Sequence, residues 1–404
     1  MKIVHISTTD YGGAFRATER IHKSMLEIGI SSKILVRTKS KKDTPAEMIL
    51  DNNIKIFFSK CKNFLNLVIS RSTLIMSDYF GTDISKNENI READIIILHA
   101  VNAFISYKGF ERLCGLNKPI LWVVHDMSLF TGGCHYDMYC GKYKSRCGKC
   151  HLISSSRERD ITYYNLKRKM WMARYKNFKV IGPSKWISEC ARESSILSGI
   201  DVITIANPID INLFKPMKKI GETGKFKIDR NKKNILFGAT RATNNPIKGI
   251  KYLREALNKM DINGYRLLIF GNQETEKTKY SQMETVYLGT INDDEELVRI
   301  YNAADVFVAP SEQDNYPGTV LEAAACGTPA VAFRIGGMPD IIQHKESGYL
   351  AEYKNVEDLM AGIEYCAKYT QNLGNKARLL TEQRNSYEII ASQYIKVVDS
   401  MLKK

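Results

Sequence analysis

Short apolar segments alternate with helical stretches along the whole chain, and the pattern occurs twice. In the first half the segments are KIVHIS, SKILVR, ADIIILHA, PILWVVHD and FKVIGPS, with a helix from about 14 to 29 after the first. In the second half they are KNILFGAT, YRLLIFGN, TVYLGT, ADVFVAPS and TPAVAFRIGG. Continuous apolar strands separated by helices indicate parallel sheets that are covered on both faces. The sequence therefore predicts an α/β protein with two doubly wound, Rossmann-like domains.

The predicted domain boundary lies in a stretch rich in Lys and Gly. A chain of 404 residues is too long for one compact core, so two domains with a cleft are expected. Residues 214–233, FKPMKKIGETGKFKIDRNKK, are poor in apolar side chains, which is typical of an exposed linker. We predict an N-terminal domain at 1–213, a C-terminal domain at 234–385, and a helix at 386–404 that can pack back on the N-terminal domain.

Composition excludes several classes of protein. The chain is 44% hydrophobic and 25% charged, as in a folded soluble protein, and no stretch approaches the roughly 20 apolar residues of a membrane span. The N-terminus reads as a first strand rather than a signal peptide, so a cytoplasmic protein is expected. The net charge of +15 indicates an anionic partner, which can be nucleic acid, a membrane surface or a phosphorylated substrate.

Ligands of open parallel sheets bind beyond the carboxyl ends of the strands, so the loops after the strands are the expected places for functional residues. Gly12 and Gly13 follow the first strand, where glycine lets the backbone approach a ligand and a helix start favours an anion. A plain tight turn is the alternative. Arg241 and Lys248, in the loop GATRATNNPIKG, are two cations able to face a phosphate group.

The loop PSEQDNYPGTVLEAAACG is more specific. Asp314 and Glu322 are separated by seven residues, and Pro317-Gly318 precede a helix that should begin near Thr319. A carboxylate there can accept hydrogen bonds from two vicinal sugar hydroxyls, while the N–H groups of the helix start point at a phosphate. The alternative is that Glu322 only complements the helix dipole.

The segment from Gly289 to Ile342 closely resembles the C-terminal domain of retaining family 4 glycosyltransferases of the GT-B fold. The stretches HDMSLFTGGCHY and YGGAFRATERIHKSM look like the N-terminal domain of a branch that builds bacterial capsular polysaccharides and exopolysaccharides. The resemblance covers nearly the whole chain and implies two Rossmann-like domains facing a cleft.

The resemblance also implies roles for individual residues. Asp314 and Glu322 match the paired acids of the donor site, with Asp in place of the usual first glutamate and Glu312 as a weaker substitute. His125 matches a histidine near the donor sugar that is important for turnover. The implied donor contacts are Gly12, Gly13, Arg241, Lys248, Thr319, Val320 and Glu322, and the residues assigned to the acceptor side are His99, Asn102 and Asp126.

The chemistry implied by the resemblance is a dissociative transfer that retains the anomeric configuration. The donor would be a UDP-sugar or GDP-sugar, and the acceptor a glycan or lipid-linked oligosaccharide. Protein cations and backbone amides would stabilise the departing diphosphate without a catalytic metal, by preorganised electrostatics. The departing phosphate oxygen can take the acceptor's proton, so no separate enzyme base is required.

Four of the nine cysteines cluster between His125 and His151. Cys134, Cys140, Cys147 and Cys150 have the spacing C-x5-C-x6-C-x2-C, and the final pair forms a knuckle of the kind that presents two thiolates to zinc. We predict a structural zinc site, in which His135 or His151 can replace one cysteine. A redox pair and reduced thiols without metal are the alternatives. The odd number of cysteines argues against a disulfide framework.

Two basic segments are candidates for contact with the inner leaflet of the cell membrane. Residues 166–179, LKRKMWMARYKNFK, contain six basic residues, no acid and three interleaved aromatic residues. Residues 54–71 place Phe57, Cys61, Phe64, Leu65 and Val68 at helical spacing. If both lie on one face, the protein would be peripheral on the inner face of the membrane, which suits a lipid-linked acceptor. Helices that bury their apolar stripe in the core are the alternative.

Two rival functions remain at this level. A sugar-nucleotide epimerase of the same architecture would handle the same donor without an acceptor. A basic protein that binds nucleic acid or membrane without catalysis would account for the charge. No RRM, KH or helix-turn-helix signature is evident, so we predict no nucleic-acid partner.

Overall fold

The chain divides into two compact units, which are Met1–Asn207 with Ile390–Lys404, and Pro208–Ile389. The computed structural model describes residues 1–50, 53–70, 72, 74–217, 231–238, 245–271 and 282–403. Most of the predicted linker, residues 218–230, therefore lies outside the described residues.

The first unit is built on a seven-stranded parallel sheet. Its strands are β1 (Lys2–Thr9), β2 (Ser31–Thr38), β3 (Ala46–Met48), β4 (Ile95–Leu98), β5 (Ile120–Val123), β6 (Phe178–Gly182) and β7 (Val202–Thr204). They lie in the order β3-β2-β1-β4-β5-β6-β7. The helices are α1 (Gly13–Glu27), α2 (Asn53–Ser70), α3 (Glu88–Glu92), α4 (Tyr107–Cys114), α5 (Ile161–Lys169) and α6 (Lys185–Arg192).

The second unit is built on a six-stranded parallel sheet. Its strands are β8 (Lys233–Gly238), β9 (Tyr265–Phe270), β10 (Thr285–Gly289), β11 (Val306–Ala309), β12 (Ala330–Phe333) and β13 (Gly348–Ala351). They lie in the order β10-β9-β8-β11-β12-β13. The helices are α7 (Ile250–Lys259), α8 (Asp294–Ala303), α9 (Gly318–Ala325), α10 (Met338–Ile341), α11 (Val356–Lys368) and α12 (Thr370–Asn385), and α13 (Tyr387–Leu402) ends the chain.

Apolar side chains cover both faces of the first sheet. On one face, Ile97 packs in a cluster with Met25 of α1 and Tyr394 of α13. On the other, Ile96 packs in a cluster with Phe110 of α4. Residues of α13 from Ile390 onward thus complete the core of the first unit. The two doubly wound parallel sheets predicted from the sequence are confirmed.

Three strands were missed in the sequence, and each is an edge strand. β3 and β7 have three residues each and β13 has four, and all three end a sheet. The three-residue strands β3 and β7 carry too few apolar residues for a periodic signal, and the pairing of their backbones with the longer strands β2 and β6 defines them. β13 pairs along its whole length with β12, which has the same number of residues.

The basic stretch 166–179 is not one helix, contrary to the prediction. α5 ends at Lys169, a 3₁₀ turn follows at Met170–Arg174, and β6 begins at Phe178. Phe178 is buried, and Trp171 packs against the same core cluster. Lys169 is buried as well, and its Nζ donates to the Ser128 carbonyl at 2.5 Å. The aromatic residues of this stretch therefore belong to the interior rather than to a membrane-facing surface.

The segment 54–71, in contrast, is the helix α2 and exposes apolar side chains. Phe57, Phe64 and Val68 are 63%, 64% and 54% exposed. Among the helices in the described ranges, none combines the length and the apolar character needed to cross a membrane. Only one of the two segments predicted to meet a membrane thus presents an apolar surface.

Candidate functional site

The second unit carries predicted donor residues on the loop between β11 and α9. Asp314 lies in this loop, and its Oδ2 accepts a hydrogen bond from Lys248 Nζ at 2.7 Å. Lys248 ends the 3₁₀ turn Pro246–Lys248 before α7. The side chain of Asp314 is 9% exposed and that of Lys248 is 28% exposed. The lysine thus meets a nearly buried carboxylate while part of its own side chain stays accessible to a ligand.

Backbone packing fixes the position of Asp314. Gly336 has a φ of +51°, and a Cβ there would lie 1.9 Å from the Asp314 carbonyl oxygen. Any residue with a side chain would therefore push the two loops apart. The N–H of Gly337 donates to the same carbonyl at 3.2 Å. These contacts hold the loop that carries the acid against the segment after β12.

Glu322 lies inside the second unit on α9. It is 2% exposed, and its Oε2 accepts a hydrogen bond from the Tyr301 hydroxyl at 2.8 Å. Tyr301, on α8, is fully buried, and the Thr328 hydroxyl donates to its carbonyl at 2.6 Å. Because both partners of this hydrogen bond are buried, the bond restrains the position of the Glu322 carboxylate. A role that only complements the helix dipole does not need such a partner.

Glu312, the weaker substitute for Asp314, is already engaged by two lysines. Lys251 Nζ lies 2.6 Å from its Oε1 and Lys354 Nζ lies 3.1 Å from its Oε2. Burial acts to raise the pKa of Glu312, but the hydrogen bonds from Lys251 and Lys354 hold it below its usual range. Asp314 and Glu312 thus belong to separate ion-pair groups.

The start of α9 holds the remaining predicted donor contacts of this unit. Thr319 is half-buried in the first turn, and Val320 is fully buried, with its N–H donating to the Pro317 carbonyl at 3.2 Å. Within the part of the chain that the structure describes, no side-chain cap is seen at Pro317, the N-cap of this helix. Arg241, predicted to face the diphosphate with Lys248, lies outside the described residues.

In the first unit, Gly12 and Gly13 form the turn between β1 and α1. Gly12 has a φ of +88° and is the N-cap of α1, with no side-chain cap. No atom of the described residues lies within 4 Å of a Cβ built at either glycine. The positive φ of Gly12 favours glycine, whereas the space around it would admit a side chain. The phosphate contact of this turn stays a prediction.

His125, two residues after the end of β5, is the last of three histidines that form a chain across neighbouring strands. Its Nε2 lies 3.0 Å from Nδ1 of His99, which follows β4. Nε2 of His99 lies 3.0 Å from Nδ1 of His5, in the middle of β1. The rings stack pairwise with centroids 5.3 Å apart in both pairs.

The environment keeps this histidine chain neutral. Burial lowers the pKa of His5 to about 3 and that of His125 to about 4, and it lowers the pKa of His99 well below its usual value. His99 is 2% exposed and has both ring nitrogens within hydrogen-bonding distance of other histidines. Both ring nitrogens of His99 are thus engaged by other histidines, and its assignment to the acceptor side stays a prediction.

His5 was not among the residues predicted from the sequence. The available signal was a histidine within or just after each of three apolar strand segments, KIVHIS, ADIIILHA and PILWVVHD. The strand order that makes these segments neighbours cannot be read from that signal.

The other two residues assigned to the acceptor side, Asn102 and Asp126, organise their own loops. Asn102 Nδ2 donates to Ser128 Oγ at 2.7 Å. Asp126 Oδ2 lies 2.7 Å from His135 Nδ1, and Asp126 Oδ1 accepts from the Ser128 N–H at 2.8 Å. The Asp126 carboxylate raises the pKa of His135, and the ion pair holds that histidine in place. His135 is thus the partner of Asp126, and His151 is the histidine near the cysteines.

The four clustered cysteines line one cavity of about 20 Å³, together with Asp137 and His151. All four are free thiols. Burial raises the pKa of Cys134 to about 12, and the nearby thiols of Cys147 and Cys150 act in the same direction. Within the ranges that the structure describes, no three His, Cys, Asp or Glu side chains are spaced to hold a metal ion as they stand.

The turn between Cys147 and Cys150 is held by a lysine. Gly148 has a φ of +134°, and Lys142 Nζ donates to its carbonyl at 3.0 Å. Burial raises the pKa of Cys150, whereas hydrogen bonds from the backbone N–H groups of Leu152 and Ile153 act to lower it.

Comparisons with known proteins give the following matches. Residues 232–368 match the family described as Glycosyl transferases group 1. An uncharacterized glycosyltransferase of Methanocaldococcus jannaschii is 26% identical over 349 residues, which cover 78% of this chain and 87% of the relative.

Solved structures share the fold over the full length. Sucrose-phosphate synthase from Thermosynechococcus elongatus has a TM-score of 0.68 at 16% identity, covering 100% of this chain and 99% of its own. Anabaena HepE, solved in complex with UDP and glucose, has a TM-score of 0.65 at 16% identity, covering 99% and 100%. The two parallel-sheet units therefore have the GT-B fold, and the sequence matches support a group 1 glycosyltransferase.

Proposed function

We propose that the protein is a retaining hexosyltransferase that moves a sugar from a nucleoside-diphosphate sugar to a glycan acceptor in surface polysaccharide biosynthesis. The observation that carries the proposal is one loop and its following helix, which present Asp314, paired with Lys248, and Glu322. All three residues lie within the segment 232–368 that matches the glycosyltransferase family. The complex of HepE with UDP and glucose supports a UDP-sugar as donor, with a GDP-sugar as the alternative.

Each side chain has a chemical task in this proposal. Lys248 gives up part of its contact with Asp314 and binds the diphosphate instead. A cation stabilises the charge of the diphosphate best when it is already held in position before the donor binds. Asp314 then orients the lysine and accepts from the donor sugar. Glu322, fixed by Tyr301, accepts from the ribose hydroxyls. His125, in the first unit, serves the transfer step.

The proposed transfer breaks the bond between the anomeric carbon and the diphosphate oxygen. The acceptor oxygen bonds to the same face of the sugar, and the acceptor's proton passes to the departing phosphate oxygen. Lys248 and Arg241 stabilise the negative charge that develops on the leaving group. The chemistry therefore needs no catalytic metal and no protein base.

The test is a turnover assay with a panel of sugar nucleotides, with and without glycan acceptors. We expect nucleotide release only with an acceptor and a product of unchanged anomeric configuration by NMR. Lys248→Ala should lower kcat/KM by roughly 10²-fold, as loss of one preorganised charge contact does. Lys251→Ala is the matched control, because it removes a nearby lysine that pairs with Glu312 instead.

The other outcomes identify the rivals. Formation of an epimer without an acceptor would show a sugar-nucleotide epimerase. Neither nucleotide release nor an epimer would leave a binding protein without catalysis. Equal activity of the Lys248→Ala and Lys251→Ala variants would remove Lys248 from the donor site.

We further propose that the acceptor is lipid-linked and that α2 docks on the anionic inner leaflet. Phe57, Phe64 and Val68 lie seven and four residues apart, so they share one face of the helix. Their exposure is more than half of the side chain at each position. The sequence of α2 has no acidic residue, and Lys60 and Lys62 add positive charge. An apolar face beside basic residues is typical of helices that lie in an anionic interface.

Sedimentation with vesicles tests this surface. The wild-type protein should bind vesicles that contain anionic lipid, and Phe64→Glu should abolish most of the binding. Leu379→Glu is the control, since Leu379 is an exposed apolar residue of the second unit, 44% exposed. Loss of a dimer in Phe64→Glu, with no vesicle binding by the wild type, would show instead that α2 binds a second copy.

We also propose a structural zinc ion at the cavity lined by Cys134, Cys140, Cys147 and Cys150. A cavity of about 20 Å³ accommodates one water-sized species. The thiols would have to turn inward to reach Zn–S distances of about 2.3 Å. The backbone donors at the Cys150 sulfur would then stabilise a thiolate.

Metal analysis tests the zinc site. Protein prepared without chelator should carry about one zinc per chain, and Cys147→Ser should lower both the zinc content and the melting temperature. Cys366→Ala, at a buried cysteine far from the cluster in sequence, should leave the zinc content unchanged. Protein without zinc, whose four thiols all titrate freely in the native state, would contradict the site.

A further inference from the structure

The histidine chain ends in the core at a ring nitrogen of His5, which is called the blind end of the chain. His5 Nε2 is buried, and the described residues offer it no hydrogen-bond partner. His22 packs edge-on against the His5 ring at 6.0 Å, but its Nδ1 bonds to Ser32 Oγ at 2.8 Å. The chain therefore runs from the half-buried ring of His125 to the blind end at His5.

Only two arrangements of protons satisfy both contacts between neutral imidazoles. In the first, each ring carries its proton on Nδ1, so that His5 donates to His99 and His99 donates to His125. In the second, each proton is on Nε2 and the direction is reversed. The first leaves a lone pair at the buried end, and the second leaves an N–H group there.

The buried end favours the first arrangement. A buried N–H without an acceptor is among the rarest defects of folded proteins, and an under-satisfied acceptor is more common. The first arrangement leaves a lone pair on His5 Nε2, whereas the second would leave an N–H group there with no acceptor among the described residues.

We propose that His99 is a positioning residue that holds His125 as the neutral Nδ1–H tautomer, by donating its own Nδ1–H to Nε2 of His125. His125 then has its nitrogen donor on the side of the ring away from His99. In a transferase whose leaving phosphate takes the acceptor's proton, such a residue is a fixed hydrogen-bond donor rather than a base. The effect on turnover rests on the function proposed above, but the tautomer does not.

The blind end at His5 distinguishes this arrangement from a proton relay. A relay needs an exit for the proton, and no acceptor among the described residues reaches His5 Nε2. A chain that is closed at one end can only set the direction of its hydrogen bonds. A neighbour that fixes the tautomer of a functional histidine is a known device in enzymes.

The first test is spectroscopic and needs no substrate. Protein labelled with ¹⁵N-histidine reports the protonated nitrogen of each ring through its nitrogen shifts and its couplings to the ring carbon protons. We expect Nδ1–H for His5, His99 and His125 in the wild type, with assignments from single substitutions. A His125 ring protonated on Nε2 would overturn the proposal, whatever the activity of the protein.

Three variants separate positioning from packing. His99→Phe keeps a ring but removes both hydrogen bonds, so His125 should become a mixture of tautomers and kcat should fall roughly 10- to 100-fold with nucleotide affinity unchanged. His5→Phe moves the blind end to His99, so His125 should keep its Nδ1–H tautomer. His22→Phe is the control outside the chain and should change neither the tautomer nor kcat.

The outcomes distinguish this proposal from the transferase function. If the wild type transfers no sugar, the proposed function fails while the spectrum still decides the tautomer. If the wild type transfers sugar and His99→Phe retains both kcat and the Nδ1–H form of His125, the positioning role is refuted. If His99→Phe does not fold, the wild-type spectrum and His5→Phe remain decisive.

Discussion

Replacing Tyr301 by Phe should destabilise the second unit, because it removes the hydroxyl that donates to Glu322. Tyr301 is fully buried and Glu322 is 2% exposed, so water cannot replace the lost donor. The hydrogen bond is 2.8 Å long and its acceptor is a carboxylate. Hydrogen bonds to charged groups contribute about 1.5–3 kcal/mol to stability.

The expected change is therefore a loss of about 2 kcal/mol in the free energy of unfolding. For a domain of this size, a change of that magnitude lowers the melting temperature by roughly 4–8 °C. The Thr328 hydroxyl bonds to the Tyr301 backbone, so this contact persists in the variant. Donor binding should weaken as well, because Glu322 loses the partner that fixes its position.

A double-mutant cycle in urea isolates the interaction. Tyr301→Phe, Glu322→Gln and the double variant should show a coupling energy of about 1–3 kcal/mol in the unfolding of the second unit. Tyr394→Phe is the control, because Tyr394 is equally buried but packs in the core of the first unit, so the second unit should unfold as in the wild type. If Tyr301→Phe is as stable as the wild type and the coupling is near zero, Glu322 is not held by this hydrogen bond.

Three further outcomes are expected. The first unit should lose stability as the pH falls below about 6.5, since burial lowers the pKa of His5 to about 3 and of His125 to about 4, and lowers that of His99. Below that pH each of these three histidines takes up a proton when the unit unfolds, so the free energy of unfolding falls by up to roughly 4 kcal/mol per pH unit. Urea midpoints that stay constant between about pH 7 and about pH 5 would contradict this prediction. His125→Ala should reduce kcat more than nucleotide affinity, and calorimetry showing equal losses would indicate a structural role. Turnover should persist during a brief EDTA treatment without added magnesium, whereas strict dependence on a divalent ion would contradict the metal-free transfer.

Much of the fold could be predicted because its signal is local. A buried parallel strand needs a continuous apolar run, and segments such as ADIIILHA in the first half and ADVFVAPS in the second half contain such a run. The rule that ligands bind beyond the carboxyl ends of strands also identified the loop of Asp314 and the turn of Lys248. These residues are 66 positions apart in sequence, and the structure joins them in an ion pair. The rule predicted that both would be near a ligand, but not that they would contact each other.

The basic stretch 166–179 shows where a local pattern misleads. Its charges and aromatic residues fit an interfacial helix, but the segment ends one helix, forms a 3₁₀ turn and begins a central strand. The ring of Trp171 contacts Phe110, and the ring of Phe178 contacts both Phe110 and Trp122 in the core. A sequence of charges does not record which apolar partners the fold supplies. The apolar face of α2 stays exposed, because no core cluster among the described residues includes residues of this helix.

The sequence by itself determined the two doubly wound sheets and which loops carry polar chemistry, because backbone geometry and burial impose those patterns on every short segment. Only the tertiary structure decided which distant residues meet. His5 and His99 are 94 positions apart, and His99 and His125 are 26 apart. They form one chain because β1, β4 and β5 are neighbours in the sheet. Strand order depends on how all the helices and strands pack together, so no single segment of the sequence encodes it.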